Sequence, residues 1–264
     1  MRFVVTALLV GCSGGAAPAG PANTTAVAAR LVIPKGQAMG WIGVAPVPSR
    51  DHGDWVPAGP ATVYLPSKPE AIQKDMSVTA IDAKGGTTAV IATGVAKLPY
   101  GCDNELEATA LESIHKVKLA AGAVWVLPPS APVAWAPRAI AITAFQASET
   151  HRRYTAGPVA IELERTDDLH GVAKLAWNGR PVHSVPFERS EMAGTDKAPI
   201  NLVEGGVGVL EPIAAWAIGG ERGAVLLVFY QQSYEGLHLE VVRIEEDRGV
   251  AEAAMGFYMY QCAF

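Results

Sequence analysis

A chain of 264 residues with 50% hydrophobic and only 18% charged residues holds ample material for a buried core, which excludes global disorder. Its formal charge of -5 argues against nucleic acid or an anionic membrane surface as the main partner, because both demand basic clusters. Beyond the first residues, no segment reaches the roughly 20 apolar residues of a spanning helix without Gly, Pro or charge.

At the start of the chain, Arg2 precedes the mostly apolar run Phe3 to Val10, then Gly11 and Cys12. The run is too short to cross a bilayer, and its layout is that of an export signal. The four residues Leu9, Val10, Gly11 and Cys12 resemble the lipobox of bacterial lipoproteins. The resemblance implies a diacylglyceryl group on the Cys12 sulfur, cleavage before it, and a signal peptide over residues 1–11. Losing Arg2 with that signal would take the formal charge from -5 to -6. Ser13, a non-Asp residue behind the cysteine, favours the outer membrane in the lipoprotein class. Residues 12–30, rich in Gly, Ala and Pro and without hydrophobic period, read as a flexible tether.

With Cys12 assigned to lipid, Cys102 and Cys262 remain as one pair, and an oxidising compartment predicts a disulfide between them. Two buried free thiols are the alternative.

From residue 31 onward the punctuation is that of a β protein: turn signals recur at short intervals between β-branched stretches. The expected fold class is mainly β, as two sandwich-like antiparallel domains over 31–129 and 139–264. The boundary falls in the proline-rich LPPSAPVAWAPRA, and one large sandwich is the alternative. In the first part, SVTAIDAKGGTTAVIATG predicts a hairpin around Gly85 and Gly86. NELEATALESIHKVKLAAG allows at most one short helix, with Leu106, Ala110, Leu111, Ile114, Val117 and Lys118 partly on a helical stripe and Asn104 or Asp103 as cap; its tail also reads as a strand entering AVWVLPP. In the second part, Asn178-Gly179 predicts a type I′ hairpin. The C-terminal stretch predicts a four-stranded meander with turns at Gly219 to Gly223, Tyr234 to Gly236 and Glu246 to Gly249. Its strand Gly223 to Gln231 is almost wholly apolar, so both faces should be covered. The same stretch, WAIGGERGAVLLVFYQQSYEGLHLEVVRI, resembles the strand-turn-strand segments of FG-GAP or VCBS-type repeats. It carries Gly219, Gly220, Glu221 and Arg222 where those repeats bear calcium-binding aspartates.

Chemistry-bearing residues are scattered. His52 lies between Asp51 and Asp54, but without a second ligand group at metal spacing, so no metal or cofactor is expected. His115, His151, His170, His183 and His238 form no paired motif. Ser233 in YQQSYEG lacks the glycines of a nucleophile elbow, and no Walker loop occurs. Asp103, Glu105 and Glu107, and Glu235 with Glu240, are the carboxylate groups to weigh for glycosidase chemistry, with a solvated face as the plain reading. Of six tryptophans, Trp41 and Trp55 flank a Gly/Pro-rich region and are the candidates for stacking on a glycan, whereas β-protein tryptophans are mostly core. The expected function is a lipid-anchored binding or structural component of the cell envelope, with an envelope protein or glycan as partner. The alternative is an envelope hydrolase with a dispersed site.

Overall fold

In the computed structural model, the described residues are 30–31, 40–45, 48–49, 53–54, 62–65, 69–100, 104–115, 117, 119–120, 122–128, 137–189, 199–204, 208–218, 223–232 and 236–258. The regular elements among them are all strands, and every pairing is antiparallel. The mainly-β expectation therefore holds. Cys12, Trp55, Cys102 and Cys262 lie outside the described residues, as do His52 and Ser233.

The first nine strands are β1 (Arg30–Leu31), β2 (Gly40–Ala45), β3 (Pro48–Ser49), β4 (Gly53–Asp54), β5 (Thr62–Leu65), β6 (Ser77–Asp82), β7 (Thr87–Tyr100), β8 (Asn104–Ser113) and β9 (Gly122–Leu127). β3 and β4 pair only with each other. β2, β5, β8, β7, β6 and β9 follow one another in space, and β9 pairs back onto β2, so these strands close into a barrel. Closure removes the exposed edges that an open sheet would carry. Inward-pointing Val63, Leu65, Val78, Ala80, Val90, Ala92, Leu111, Val124 and Val126 fill its interior.

The β6–β7 hairpin forms where Gly85 and Gly86 predict it. Asp82 shapes the turn: one carboxylate oxygen accepts the backbone N–H groups of Lys84 and Gly86 at 2.9 and 2.8 Å. The other accepts the N–H of Ala120 at 3.0 Å, which ties the segment entering β9 to the same turn. The stretch that allowed a short helix is instead β8. Leu106, Ala110 and Leu111 do fit a helical stripe, but residues 104–113 pair with β7 along their whole length, and Thr109 to Glu112 pair with β5. Those two ladders, together with burial of Ala108 and Leu111, outweigh the modest helix propensity of its Ala, Leu and Glu residues.

The remaining strands are β10 (Arg138–Ala139), β11 (Ile142–Ser148), β12 (His151–Ala156), β13 (Val159–Arg165), β14 (His170–Trp177), β15 (Arg180–Glu188), β16 (Leu210–Ile218), β17 (Ala224–Gln232), β18 (Gly236–Ile244) and β19 (Gly249–Tyr258). They make two sheets, one ordered β10-β16-β17-β18-β19 and the other a meander from β11 to β15. The Asn178-Gly179 turn joins β14 to β15 with φ of 47° and 85°, the positive values at both central positions that a type I′ turn requires. The C-terminal meander expected from the sequence is β16 to β19.

These sheets stack in layers. Along β9, Ala123, Trp125 and Leu127 point out of the barrel, and with Ile42, Val44 and Ile81 they meet Ala214, Trp216, Ile218, Leu226, Val228, Leu239 and Val241 of the β16–β18 sheet. The opposite face of that sheet carries Ala215, Val225, Leu227, Phe229, Val242 and Ile244, which pack on Tyr154, Ile161, Leu163, Leu175, Val185 and Phe187 of the outer meander. The β16–β18 sheet is thus the middle layer and is apolar on both sides, which is why β17 shows no polar alternation until Gln231.

Trp125 and Trp216 meet edge-to-face across the first interface, with centroids 5.8 Å apart and planes at 83°. Both are fully buried, and neither indole N–H has a partner among the described residues. Gly40 lies directly over the Trp125 nitrogen, where a Cβ would sit only 2.0 Å away, so this strand position has room for no side chain.

Candidate functional site

Of the two tryptophans expected to stack on a glycan, Trp55 lies outside the described residues and Trp41 is buried. Trp41 is 8% accessible and belongs to the barrel interior, against Val126 and its neighbours. Sequence proximity to Gly and Pro suggested a loop, but Gly40–Ala45 is a strand with every residue buried.

The outward face of the β11–β15 meander carries the charges that the alternation predicts. Arg153, Glu162 and Lys174 are consecutive register partners across β12, β13 and β14. Glu162 accepts from Arg153 at 2.9 Å and meets His151 Nε2 at 2.9 Å, and Lys174 binds Glu164. The Arg153 hydrogen bond holds the Glu162 carboxyl below its ordinary range, with the nearby cations adding to the effect. This is a solvated, internally paired face.

A histidine–carboxylate pair does occur. In the turn between β13 and β14, Asp167 accepts the backbone N–H groups of Leu169 and His170 at 2.9 Å and contacts His170 Nδ1 at 2.8 Å. These bonds hold the Asp167 carboxyl low, the Leu169 N–H contributing most. A Ser/His/Asp hydrolase would present a hydroxyl to the other ring nitrogen. Here Nε2 faces the Glu188 carboxylate at 3.9 Å, so the pair orients a histidine between two acids. His183 packs its Cβ against Gly249 of β19, and His115 lies exposed after β8.

Among the carboxylates weighed for acid–base chemistry, Glu107 is exposed and Glu240 is not. Asp103 and Glu235 lie outside the described residues, as does the side chain of Glu105.

The polar residues that depart from a solvated-face pattern sit at one corner of the middle sheet. On β18, Leu239 and Val241 point toward the barrel, so His238 and Glu240 share the opposite face, the one bearing Val242 and Ile244. That face is apolar across Leu210, Leu227 and Phe229 and turns polar at Gln231, His238 and Glu240. Register places His238 between Gln231 of β17 and Gly256 of β19, and Glu240 between Phe229 and Ala254. Gln231 donates from Nε2 to the carbonyls of Glu188 at 2.6 Å and Gly208 at 3.2 Å, which anchors the corner to the end of β15. Burial pushes the His238 imidazole down and the Glu240 carboxyl up, so each is driven toward its uncharged form. Among the described residues neither has an ion-pair partner within 4.0 Å. Half-buried groups of opposite type without compensation are the departure from ordinary packing that marks a candidate site. The sequence singled out Glu240 only as one of several meander acids, and His238 as one of several scattered histidines. The H-x-E spacing on a strand was the signal that could have joined them.

Comparison of the chain with family models, curated proteins and solved structures returns no match.

Proposed function

We propose that this chain is a lipid-anchored extracytoplasmic protein, with the outer membrane as the favoured destination, whose layered β body has a binding or structural role in the cell envelope. The observation that carries the reading is the Leu9-Val10-Gly11-Cys12 motif behind a short apolar run, followed by a Gly/Ala/Pro-rich stretch. Supporting it, the described body consists of strands closed or stacked upon one another, with a net-acidic composition suited to a solvent-facing module rather than to a nucleic-acid surface. The oxidising compartment implied by export is the setting in which Cys102 and Cys262 would pair. In sequence, Cys102 lies between β7 and β8, and Cys262 follows β19 by four residues. Such a bond would tie the barrel's longest hairpin to the end of the chain.

Expression in a diderm bacterium with labelled glycerol or palmitate tests the anchor. The native chain should carry label and sediment with membranes, and Cys12→Ala should lose the label and move to the soluble fraction. A native chain that carries no label and keeps its first methionine would refute the proposal. Non-reducing mass mapping of the same preparation should find the Cys102–Cys262 peptide pair.

A further inference from the structure

We propose that His238 and Glu240, completed by the side-chain oxygen of Gln231, form a binding site for one divalent transition-metal ion of the zinc type. The inference goes beyond the envelope role and does not depend on lipidation.

Three features of the corner converge on this chemistry. First, the donors share a face. Leu239 is fully buried toward the barrel, which fixes its neighbours His238 and Glu240 on the other side of β18, two positions apart. Two strand positions span about 6.8 Å, a separation that side chains of this length bridge to one ion at bonds of about 2.0–2.2 Å. Second, a third donor lies alongside. Gln231 is the direct register partner of His238, and its Nε2 is committed to the carbonyls of Glu188 and Gly208. That commitment leaves Oε1 as the acceptor of the amide, with no donor to it among the described residues. Third, Glu240 itself has no ion-pair partner within 4.0 Å among the described residues, and its neighbour across β17 is Phe229.

The donor set decides the class of ion. One imidazole, one carboxylate and one amide oxygen suit zinc, copper or nickel, whereas calcium and magnesium require six or more oxygen ligands. No third His, Cys, Asp or Glu among the described residues joins the cluster, so remaining coordination positions would be held by water. His238 and Glu240 are half-buried, and a bound cation would favour the neutral imidazole and the charged carboxylate there. The ion would also link β17 to β18 at the end of the middle sheet.

Isothermal titration of the chelator-treated full chain with zinc chloride at pH 7.5 provides the test, alongside cobalt titration read by visible absorption. The expected result is one equivalent of zinc bound, with a matching cobalt d–d spectrum of nitrogen and oxygen ligation. His238→Ala should weaken zinc at least about 100-fold, since it removes a direct ligand. Glu240→Gln should weaken it while preserving the fold by circular dichroism. His52→Ala, His151→Ala and His170→Ala should bind like the native chain, and magnesium and calcium should not compete. Absence of stoichiometric zinc binding by the folded native chain would overturn the proposal, as would full binding by folded Glu240→Gln and His238→Ala variants.

Discussion

β17 and β13 differ little in length, and they teach opposite lessons about how a strand's surroundings are written in its residues. β17 runs AVLLVFYQQ, with Val225 to Phe229 all buried, because the barrel covers one face and the outer meander the other. β13 runs VAIELER, with Val159, Ile161 and Leu163 buried and Ala160, Glu162 and Glu164 turned outward, because only one face meets another sheet. Alternation lapses where both faces are covered and persists where one is wet. The two strands also predict where the molecule resists substitution and where it tolerates it.

The largest expected effect is at the interface that only the middle sheet makes. Trp216→Ala removes a fully buried ring that meets Trp125 edge-to-face, and should cost about 3–5 kcal/mol in urea denaturation. A cost below about 1 kcal/mol would mean that the barrel does not rest on that sheet. Next, Gly179→Ala forces a Cβ onto a backbone with φ of 85° and should cost about 1 kcal/mol or more. Asn178→Ala and Gly179→Ala together should weaken the β14–β15 pairing first, visible as faster amide exchange in those strands.

A smaller, pH-dependent effect is expected at the polar corner, in metal-free protein. Burial raises the Glu240 pKa in the folded state above its ordinary value. The charged carboxylate therefore costs stability above the raised pKa, and the cost vanishes below the unfolded value near 4.5. Glu240→Gln should be more stable than the native chain at pH 8 and equal to it at pH 4. His238 has the opposite sign. Its folded pKa is lowered by burial, so His238→Gln should gain relative stability as pH falls below about 6.5, where the unfolded imidazole takes a proton. Denaturant midpoints across pH 4–8 read both trends, and a Glu240→Gln gain that grows toward acid would contradict the burial. The smallest effect is on the wet side of β13: Glu162→Ala breaks partly exposed contacts to Arg153 and His151 and should change stability by about 1 kcal/mol or less.

What was legible followed from local rules. The apolar run of β17, the Asn178-Gly179 turn and the Gly85-Gly86 hairpin each need only neighbouring residues to be understood. What escaped depended on partners distant in the chain. The ring closes because β2 pairs with β9, strands separated by most of the first half, and nothing local in GWIGVA announces that partner. The same remoteness hid Trp41, whose burial comes from strands around it rather than from its Gly- and Pro-rich flanks. The sequence left β8 open between helix and strand because Leu106, Ala110 and Leu111 satisfy a helical period, while the ladders to β5 and β7 that decide its conformation are tertiary. The polar corner needed the register of three strands before His238, Glu240 and Gln231 could be placed together.

The central physical claim is that β17 lies in a sheet covered on both faces, shared by the barrel and the outer meander. Hydrogen–deuterium exchange of the native chain tests it most directly, comparing peptides over 224–232 with those over the edge strand 142–148, whose residues are largely exposed. The β17 amides should be among the slowest in the molecule and those of β11 among the fastest of its strands. Equal, rapid exchange of the two would contradict the layered arrangement.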